Sequence, residues 1–248
     1  MRYFELLRNW QFDPNITMEV AGHLAESGWI KIEKLAQRYQ AAFPTILSAT
    51  YSPNDCLFRS TDFQRTRVSL HSFADGLFGV NGNEQVQFED IPEQDIFMRP
   101  YQHCPLYSQI NAVRVEQDAF VQGPEYQEMV VQRSGFSRST MQIGRNLEFD
   151  QTSPFCTAFS IANAQVVEYS EDVDLFYRVG YGRPEFLRLY ENLMCFQMQD
   201  LLRFIQSDAN DHRARIFSGH VNLILILLNF EVFDGDVPRI LRTIADGG

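Results

Sequence analysis

Lysine is scarce in this sequence: only Lys31 and Lys34 are lysines among its 21 basic residues. The other basic residues are arginines, whose planar guanidinium suits fixed contacts to oxyanions and, equally, ordinary surface ion pairs. With 32 acidic residues the net charge is −11 and the isoelectric point is near 4.9. Such an excess of negative charge argues against non-specific binding to nucleic acid or to anionic membranes, which requires a basic face.

The sequence also lacks long apolar runs. Its longest run, residues 223–228, is far shorter than the roughly twenty residues that a bilayer requires, so we expect no integral membrane span. The first eight residues have no uninterrupted apolar core, and no signal peptide is visible. A lone glycosylation sequon at Asn15 is a mild indication of secretion.

Cysteine is sparse as well, with four residues that allow at most two disulfides and have no metal-type close spacing. We predict that Cys56, inside an apolar stretch, is a buried free thiol. We expect neither a metal ion nor another cofactor. Hydrophobic residues make up 45% of the 248 residues, enough for a folded core in one large or two small domains.

Residues 55–66 organise the rest of the chain. Cys56, Leu57 and Phe58 are typical of a buried strand that ends at Arg59, after which Ser60, Thr61 and Asp62 offer helix N-caps. Apolar residues then recur at helical spacing up to a glycine stop, at Phe63, Leu70, Phe73, Ala74, Leu77 and Gly79. An arginine between a strand end and a helix N-terminus is a good phosphate receptor. The alternative is an arginine that pairs with a nearby carboxylate, and the spacing alone favours that alternative.

A second strand and helix repeat this arrangement near the C-terminus. Residues 215–219 predict a short buried strand, and His220 begins a helix through Phe230. Because ligands bind outside the carboxyl ends of strands in open α/β sheets, we expect Arg59 and His220 to face one crevice. The remaining pattern predicts amphipathic helices over 26–43 and 187–204, a weak strand over 85–88, a short helix before residue 17, and helical segments over 96–183.

Several motifs resemble those of the histidine acid phosphatases, and within them the multiple inositol polyphosphate phosphatases. The segment from Phe58 to Thr66 resembles the family's R-S-T-D-x-x-R-T motif. The other similar stretches follow in the family's order and are Gly22 to Gly28, Leu35 to Tyr39, Ala42 to Pro44, Asp118 to Glu125, Ser153 to Cys156, Tyr177 to Gly182 and Phe217 to His220.

The resemblance implies an α/β fold: a histidine-phosphatase-like sheet with flanking helices and an inserted, mostly α-helical cap. It divides the chain into a first core part over residues 1–95, the cap over 96–184 and a second core part over 185–248. It also implies phosphorylated substrates of the inositol hexakisphosphate type, with 2,3-bisphosphoglycerate as a further candidate, and a location in the secretory lumen or outside cells.

The resemblance assigns roles to three residues. Family members form a phosphohistidine at an R-H-G-x-R-x-P motif, and an acidic residue beside a second histidine protonates the leaving alcohol. By alignment of motifs, His220 is that second histidine, a catalytic and phosphate-binding residue, and Arg59 is a phosphate-binding arginine. Asn222 stands at the proton-donor position, where the family has H-A-E or H-D. Arg65, the motif's other arginine, is as well suited to pair with Asp62 or Asp75 as to reach a ligand.

Two departures limit the predicted activity. The sequence contains no R-H-G, so we expect the nucleophile and the first sheet strand to be missing. An amide at Asn222 cannot deliver a proton, which removes general-acid assistance worth roughly 10²–10⁴ in rate. The chain is therefore either an incomplete copy of an active phosphatase or an inactive relative that binds a phosphorylated ligand or a protein partner. A third possibility is that it does not fold stably alone, because a missing strand exposes sheet edges.

Overall fold

The computed structural model describes residues 17–132, 160–207 and 212–229. Several sequence predictions lie outside the described residues: the helix before residue 17, the sequon at Asn15, the motif from Ser153 to Cys156, and the end of the last helix at Phe230.

The described chain is mostly helical with a small parallel sheet. In chain order its elements are α1 (Glu26–Ala42), β1 (Cys56–Ser60), α2 (Gln64–Phe78), α3 (Pro105–Ile110), α4 (Val115–Gln122), α5 (Ile161–Arg178), α6 (Leu187–Leu193), α7 (Cys195–Gln206), β2 (Ala214–Ser218) and α8 (Val221–Asn229). Short 3₁₀ segments lie at Gly82–Gln85, Pro100–Gln102 and Pro184–Phe186, and a helical turn, Pro124–Tyr126, runs into a π-helical segment, Gln127–Gln132.

The described residues fall into two compact units. Residues 22–110, 183–207 and 212–229 form the unit that holds both strands, called here the sheet unit. Residues 17–21, 111–132 and 160–182 form the other, called here the insert unit. The division into core parts and a cap at residues 96 and 184 stays a prediction.

The sheet unit confirms the predicted α/β class and both predicted strands. β1 and β2 pair in parallel, with Cys56 opposite Ala214 and Ser60 opposite Ser218. The predicted weak strand at 85–88 is limited to an isolated bridge between Phe58 and Phe88. Because the two strands are adjacent and parallel, the segments that follow them leave the same edge of the sheet.

Alternation along β1 places its apolar side chains in the core. Cys56, Phe58 and Ser60 are buried, while Leu57 and Arg59, which alternate with them, are partly exposed on the other face. Phe58 is fully buried, and each such side chain contributes roughly 1.5–3 kcal/mol. The buried cluster around it consists of Ala36, Leu47, Cys56, Leu70, Ala74, Leu77 and Val86.

The ends of α2 differ in how well the sequence predicted them. Gly79 closes the helix as expected, with a φ of 88° and its N–H donating to the Asp75 carbonyl oxygen. The predicted N-caps are wrong, because the N-cap is Phe63 and no side chain caps it. The Thr66 hydroxyl, one turn inside, lies within hydrogen-bond distance of the carbonyl oxygens of Thr61 (2.9 Å) and Phe63 (3.0 Å).

The helix predicted over 187–204 is two helices, α6 and α7. They meet at Met194, whose φ of −97° and ψ of 3° interrupt the helical backbone. Met194 is fully buried, so tertiary packing fixes the break that the periodic pattern does not reveal. The helix predicted over 26–43 is α1, which ends at Ala42 before Pro44.

Polar contacts hold the insert unit together beside a small apolar cluster. Ser160 and Asn163 form a reciprocal capping box at the start of α5. The amide of Gln117 on α4, 1% exposed, donates to the Ser170 carbonyl oxygen of α5 at 2.8 Å. The buried Asp174 forms salt bridges with Arg114 and Arg178.

Within the described part of the chain, no helix combines the length and apolar character needed to cross a bilayer. The three described cysteines, Cys56, Cys104 and Cys195, are free thiols. Cys56 is buried as predicted, and burial together with the charge of Asp55 raises its pKa.

Candidate phosphate site

Arg59 lies near the carboxyl end of β1 and makes an ion pair. Its NH2 nitrogen donates to Asp95 Oδ1 at 2.8 Å, and its NH1 nitrogen is 4.0 Å from Glu89 Oε2. The guanidinium carbon lies 5.1 Å from the centre of the Phe97 ring. Arg59 Nε is buried and has no hydrogen-bond partner in the described structure. The geometry is therefore that of the carboxylate-pairing alternative, and the phosphate-binding role stays a prediction.

Asp95 connects Arg59 to a neighbouring turn. Its side chain is 6% exposed, and Oδ1 also accepts a hydrogen bond from the Met98 N–H at 2.9 Å. Its carbonyl oxygen accepts from the Arg99 N–H at 2.9 Å. One buried carboxylate therefore holds Arg59 and shapes the turn that carries Arg99.

His220 lies between β2 and α8, and both of its ring nitrogens are engaged. Nδ1 is 3.4 Å from the guanidinium of Arg65, and Nε2 is 3.1 Å from Thr61 Oγ1. A guanidinium only donates, so Nδ1 accepts and Nε2 carries the proton that Thr61 accepts. The Thr61 hydroxyl can then donate to Thr66 Oγ1 at 2.9 Å. We assign the neutral Nε2–H tautomer from this network.

The ring of Phe63 contacts three nitrogen-bearing side chains. The guanidinium carbons of Arg65 and Arg99 lie 4.6 and 4.4 Å from its centre. The imidazole of His220 lies at 4.9 Å with its plane at 89° to the ring. These four residues, Phe63, Arg65, Arg99 and His220, are called here the Phe63 cluster. Unlike Arg59, neither Arg65 nor Arg99 has a carboxylate at salt-bridge distance among the described residues.

The positive charge of the cluster acts on His220. Burial, and then the charges of Arg65 and Arg99, lower its pKa below the ordinary 6.5. Each effect disfavours the imidazolium, because it would be poorly hydrated and close to two cations. His220 is therefore neutral near pH 7 in the unliganded protein. The pKa of His71, which stacks on Phe88 at 4.5 Å, is likewise lowered, mainly by burial.

These depressed pKa values predict that the protein becomes less stable as the pH is lowered. Below about pH 6.5 the unfolded chain takes up protons at His220 and His71 that the folded chain does not. The free energy of unfolding should therefore decrease as the pH falls from 6.5 toward the folded pKa values. Denaturant titrations between pH 8 and pH 5 measure this slope. It should be shallower in His220→Gln and shallowest in His220→Gln with His71→Gln; an unchanged slope in the double variant would contradict the assignment.

Asn222 lies in the first turn of α8, two residues after His220. Its Oδ1 atom is buried and has no hydrogen-bond partner in the described structure. Its role as the position of a lost proton donor stays a prediction.

Two members of the cluster, Arg65 and Arg99, are not among the site residues predicted from the sequence. From the sequence, Arg65 is as well suited to pair with Asp62 or Asp75 as to reach a ligand. Instead, Arg67 pairs with Asp62 at 3.0 Å, and Asp75 accepts hydrogen bonds from Asn83. Arg65 belonged to the R-S-T-D-x-x-R-T segment, which was a usable signal, whereas Arg99 carried no motif.

A family model described as histidine phosphatase superfamily, branch 2, matches residues 2–238. Multiple inositol polyphosphate phosphatase 1 of Drosophila melanogaster is 29% identical over 248 residues, covering 93% of this chain and 52% of that protein. Human lysosomal acid phosphatase is 23% identical over 244 residues, covering 87% and 56%. The chain thus spans about half the length of the curated relatives it matches.

The fold resembles that of a solved phytase. The crystal structure of the phytase from D. castellii aligns with a TM-score of 0.55 at 15% identity, covering 91% of this chain and 55% of that one. At that identity the likeness concerns the fold alone. Since the family model extends over nearly the whole sequence, the chain belongs to branch 2 of the histidine phosphatase superfamily.

Proposed function

We propose that this chain binds a phosphorylated small molecule of the inositol polyphosphate class through the Phe63 cluster. The observation that carries the proposal is the juxtaposition of Arg65, Arg99 and His220 with no neutralising carboxylate among the described residues, in a protein whose net charge is −11. An acidic protein that leaves two guanidiniums uncompensated in one place has a local site for anions. The similarity to multiple inositol polyphosphate phosphatase 1 supports the choice of ligand class.

The chemistry of the cluster suits a phosphate ester. Each guanidinium offers donors in a planar fork that fits two phosphate oxygens. His220 is the third contact, because a phosphate beside Nδ1 would favour protonation there and replace the hydrogen bond from Arg65. Arg59 would join only if the ligand competed with Asp95 for its guanidinium. His220 and Arg59 keep in this proposal the phosphate-binding roles predicted from the motifs.

These 248 residues lack two groups that hydrolysis requires. Within the family resemblance, turnover needs the R-H-G histidine to take the phosphoryl group and an acid to protonate the alcohol. The sequence contains no R-H-G, and Asn222 offers an amide in place of the acid. We propose that this chain binds its ligand with little or no release of inorganic phosphate. A nucleophile from another segment would add phosphoryl transfer, and turnover would stay slow because the amide of Asn222 cannot protonate the leaving alcohol.

Calorimetric titration of the full chain with inositol hexakisphosphate tests the proposal. Arg65→Gln should weaken binding roughly 10- to 100-fold, since a charge-assisted contact contributes about 1.5–3 kcal/mol. The matched control is Arg67→Gln, which removes the same charge from the same helix, where Arg67 pairs with Asp62. Absence of binding to the wild-type chain, or equal losses in the two variants, would refute the proposal. A phosphate-release assay on the same samples measures turnover.

We propose a lumenal location, lysosomal or secretory. The similarity to proteins named lysosomal acid phosphatase supports it, as does the sequon at Asn15.

A further inference from the structure

Phe63 occupies a helix position that its side chain does not suit. As the N-cap of α2 it has extended backbone angles, φ −135° and ψ 141°, and no side chain caps the helix. Serine, threonine, aspartate and asparagine are the residues that stabilise this position, through a side-chain oxygen that phenylalanine lacks. What Phe63 does supply is a half-buried ring in contact with Arg65, Arg99 and His220.

The ring is the shared contact of three separate segments. Arg65 comes from α2, Arg99 from the turn that begins at Asp95, and His220 from the end of β2. The face of an aromatic ring is electronegative, so it attracts guanidinium groups that repel one another. An edge-to-face arrangement such as that with His220 is also favourable for aromatic rings.

We infer that Phe63 is the positioning residue of the anion site: its ring holds Arg65 and Arg99 beside His220 before a ligand binds. The inference rests on the proposed function for the ligand. Long arginine side chains lose rotamer freedom when they are fixed, and a site that is already ordered binds more tightly because that loss precedes binding. Without the ring, Arg65 would keep its hydrogen bond to His220 and Arg99 its contact with Tyr101, but each guanidinium would be less firmly fixed and the ligand would have to order it.

Three single variants test the inference by calorimetric titration with inositol hexakisphosphate. Phe63→Leu should weaken binding about tenfold, because two cation–π contacts are lost. Phe63→Tyr keeps the aromatic face and should bind within about twofold of the wild type. Phe43→Leu makes the same change at the C-cap of α1, where the ring is tilted by 30° relative to that of Tyr39 at 6.3 Å, and should leave affinity unchanged. Equal affinities for Phe63→Leu and Phe63→Tyr would overturn the inference.

A variant cycle separates positioning from ordinary packing. If Phe63 acts through the arginines, Phe63→Leu should have almost no further effect on affinity in a chain that already carries Arg65→Gln and Arg99→Gln. The residual affinity of the double arginine variant is measured at low salt. If Phe63→Leu lowers that affinity by a further tenfold, the ring acts independently of the arginines, which would overturn the inference.

Nuclear magnetic resonance titration of the His220 imidazole provides a readout that needs no ligand. In Phe63→Leu the arginines move away, so the pKa of His220 should rise toward 6.5, whereas Phe63→Tyr should keep it low. An unchanged pKa in Phe63→Leu would overturn the inference. If the wild-type chain binds no inositol hexakisphosphate, the proposed function fails, and this titration still decides whether Phe63 positions the cluster.

Discussion

Gly76→Ala is expected to destabilise the chain by about 3 kcal/mol, because α1 and α2 approach too closely there for a side chain. A Cβ atom at Gly76 would lie 2.4 Å from the carbonyl oxygen of Glu33 and 2.6 Å from the Cβ of Ala36. Neither atom belongs to a flexible side-chain end, so the helices themselves would have to separate. That separation would open the cluster that contains Ala36, Leu70 and Ala74. The loss should exceed the roughly 1 kcal/mol that alanine gains over glycine in helix propensity.

The measurement is equilibrium unfolding in denaturant, with Gly28→Ala as the matched control. Gly28 also lies in a helix, α1, but its added Cβ would meet only the side chain of Leu24, at 2.7 Å from Cδ1. That side chain can rotate away, so Gly28→Ala should be neutral or stabilising by up to about 1 kcal/mol. Equal changes in the two variants would mean that α1 and α2 do not pack at Gly76 as described.

Asp95→Ala should cost about 2–4 kcal/mol of unfolding free energy. Breaking a buried ion pair leaves the partner charge uncompensated, a loss of about 3–5 kcal/mol when burial is complete. The expected loss is smaller than this because the side chain of Arg59 is 19% exposed, so water partly screens its charge. The Met98 N–H loses its acceptor in the same variant. Asp62→Ala is the control: its pair with Arg67 is exposed on both sides, and the change should stay within about 0.5 kcal/mol. A loss for Asp95→Ala no larger than this would contradict the role of Asp95.

Asp95→Asn tests whether Arg59 can serve a ligand. An asparagine oxygen can still accept from Arg59 and Met98, but it no longer neutralises the guanidinium. If Arg59 binds phosphate, inositol hexakisphosphate affinity should rise several-fold in Asp95→Asn, and adding Arg59→Gln should abolish the gain. An affinity that does not change in Asp95→Asn would mean that Arg59 is a structural cation only, and would leave the site to the Phe63 cluster.

Local patterns in the sequence were sufficient for most elements. The apolar run before Arg59 predicted β1, the spacing from Leu70 to Leu77 predicted α2, and Gly79 marked its end. These predictions succeeded because strand alternation, helical periodicity and a glycine in the left-handed region depend on neighbouring residues. They failed where packing opposed local preference, as at Met194, whose burial accompanies a helix break, and at the N-terminus of α2.

The site was predictable only in part, for a related reason. The sequence predicts that Arg59 and His220 face one crevice, and this stays a prediction; the pairing of Ser60 with Ser218 places the two strand ends side by side. The sequence did not predict which residues Arg59 and His220 would contact. In the described contacts, Arg59 bonds to Asp95 and His220 to Arg65, and no hydrogen bond or ion pair joins Arg59 to His220.

The family motifs, the excess of acidic residues, the near absence of lysine and the order of most helices and strands are all readable from the order of the amino acids alone. Which arginines have no carboxylate partner among the described residues depends on the folded arrangement. Arg65 meets His220 across 155 positions and Arg59 meets Asp95 across 36. Long side chains choose partners by distance in space, and that distance exists only once the strands have paired and the loops have closed.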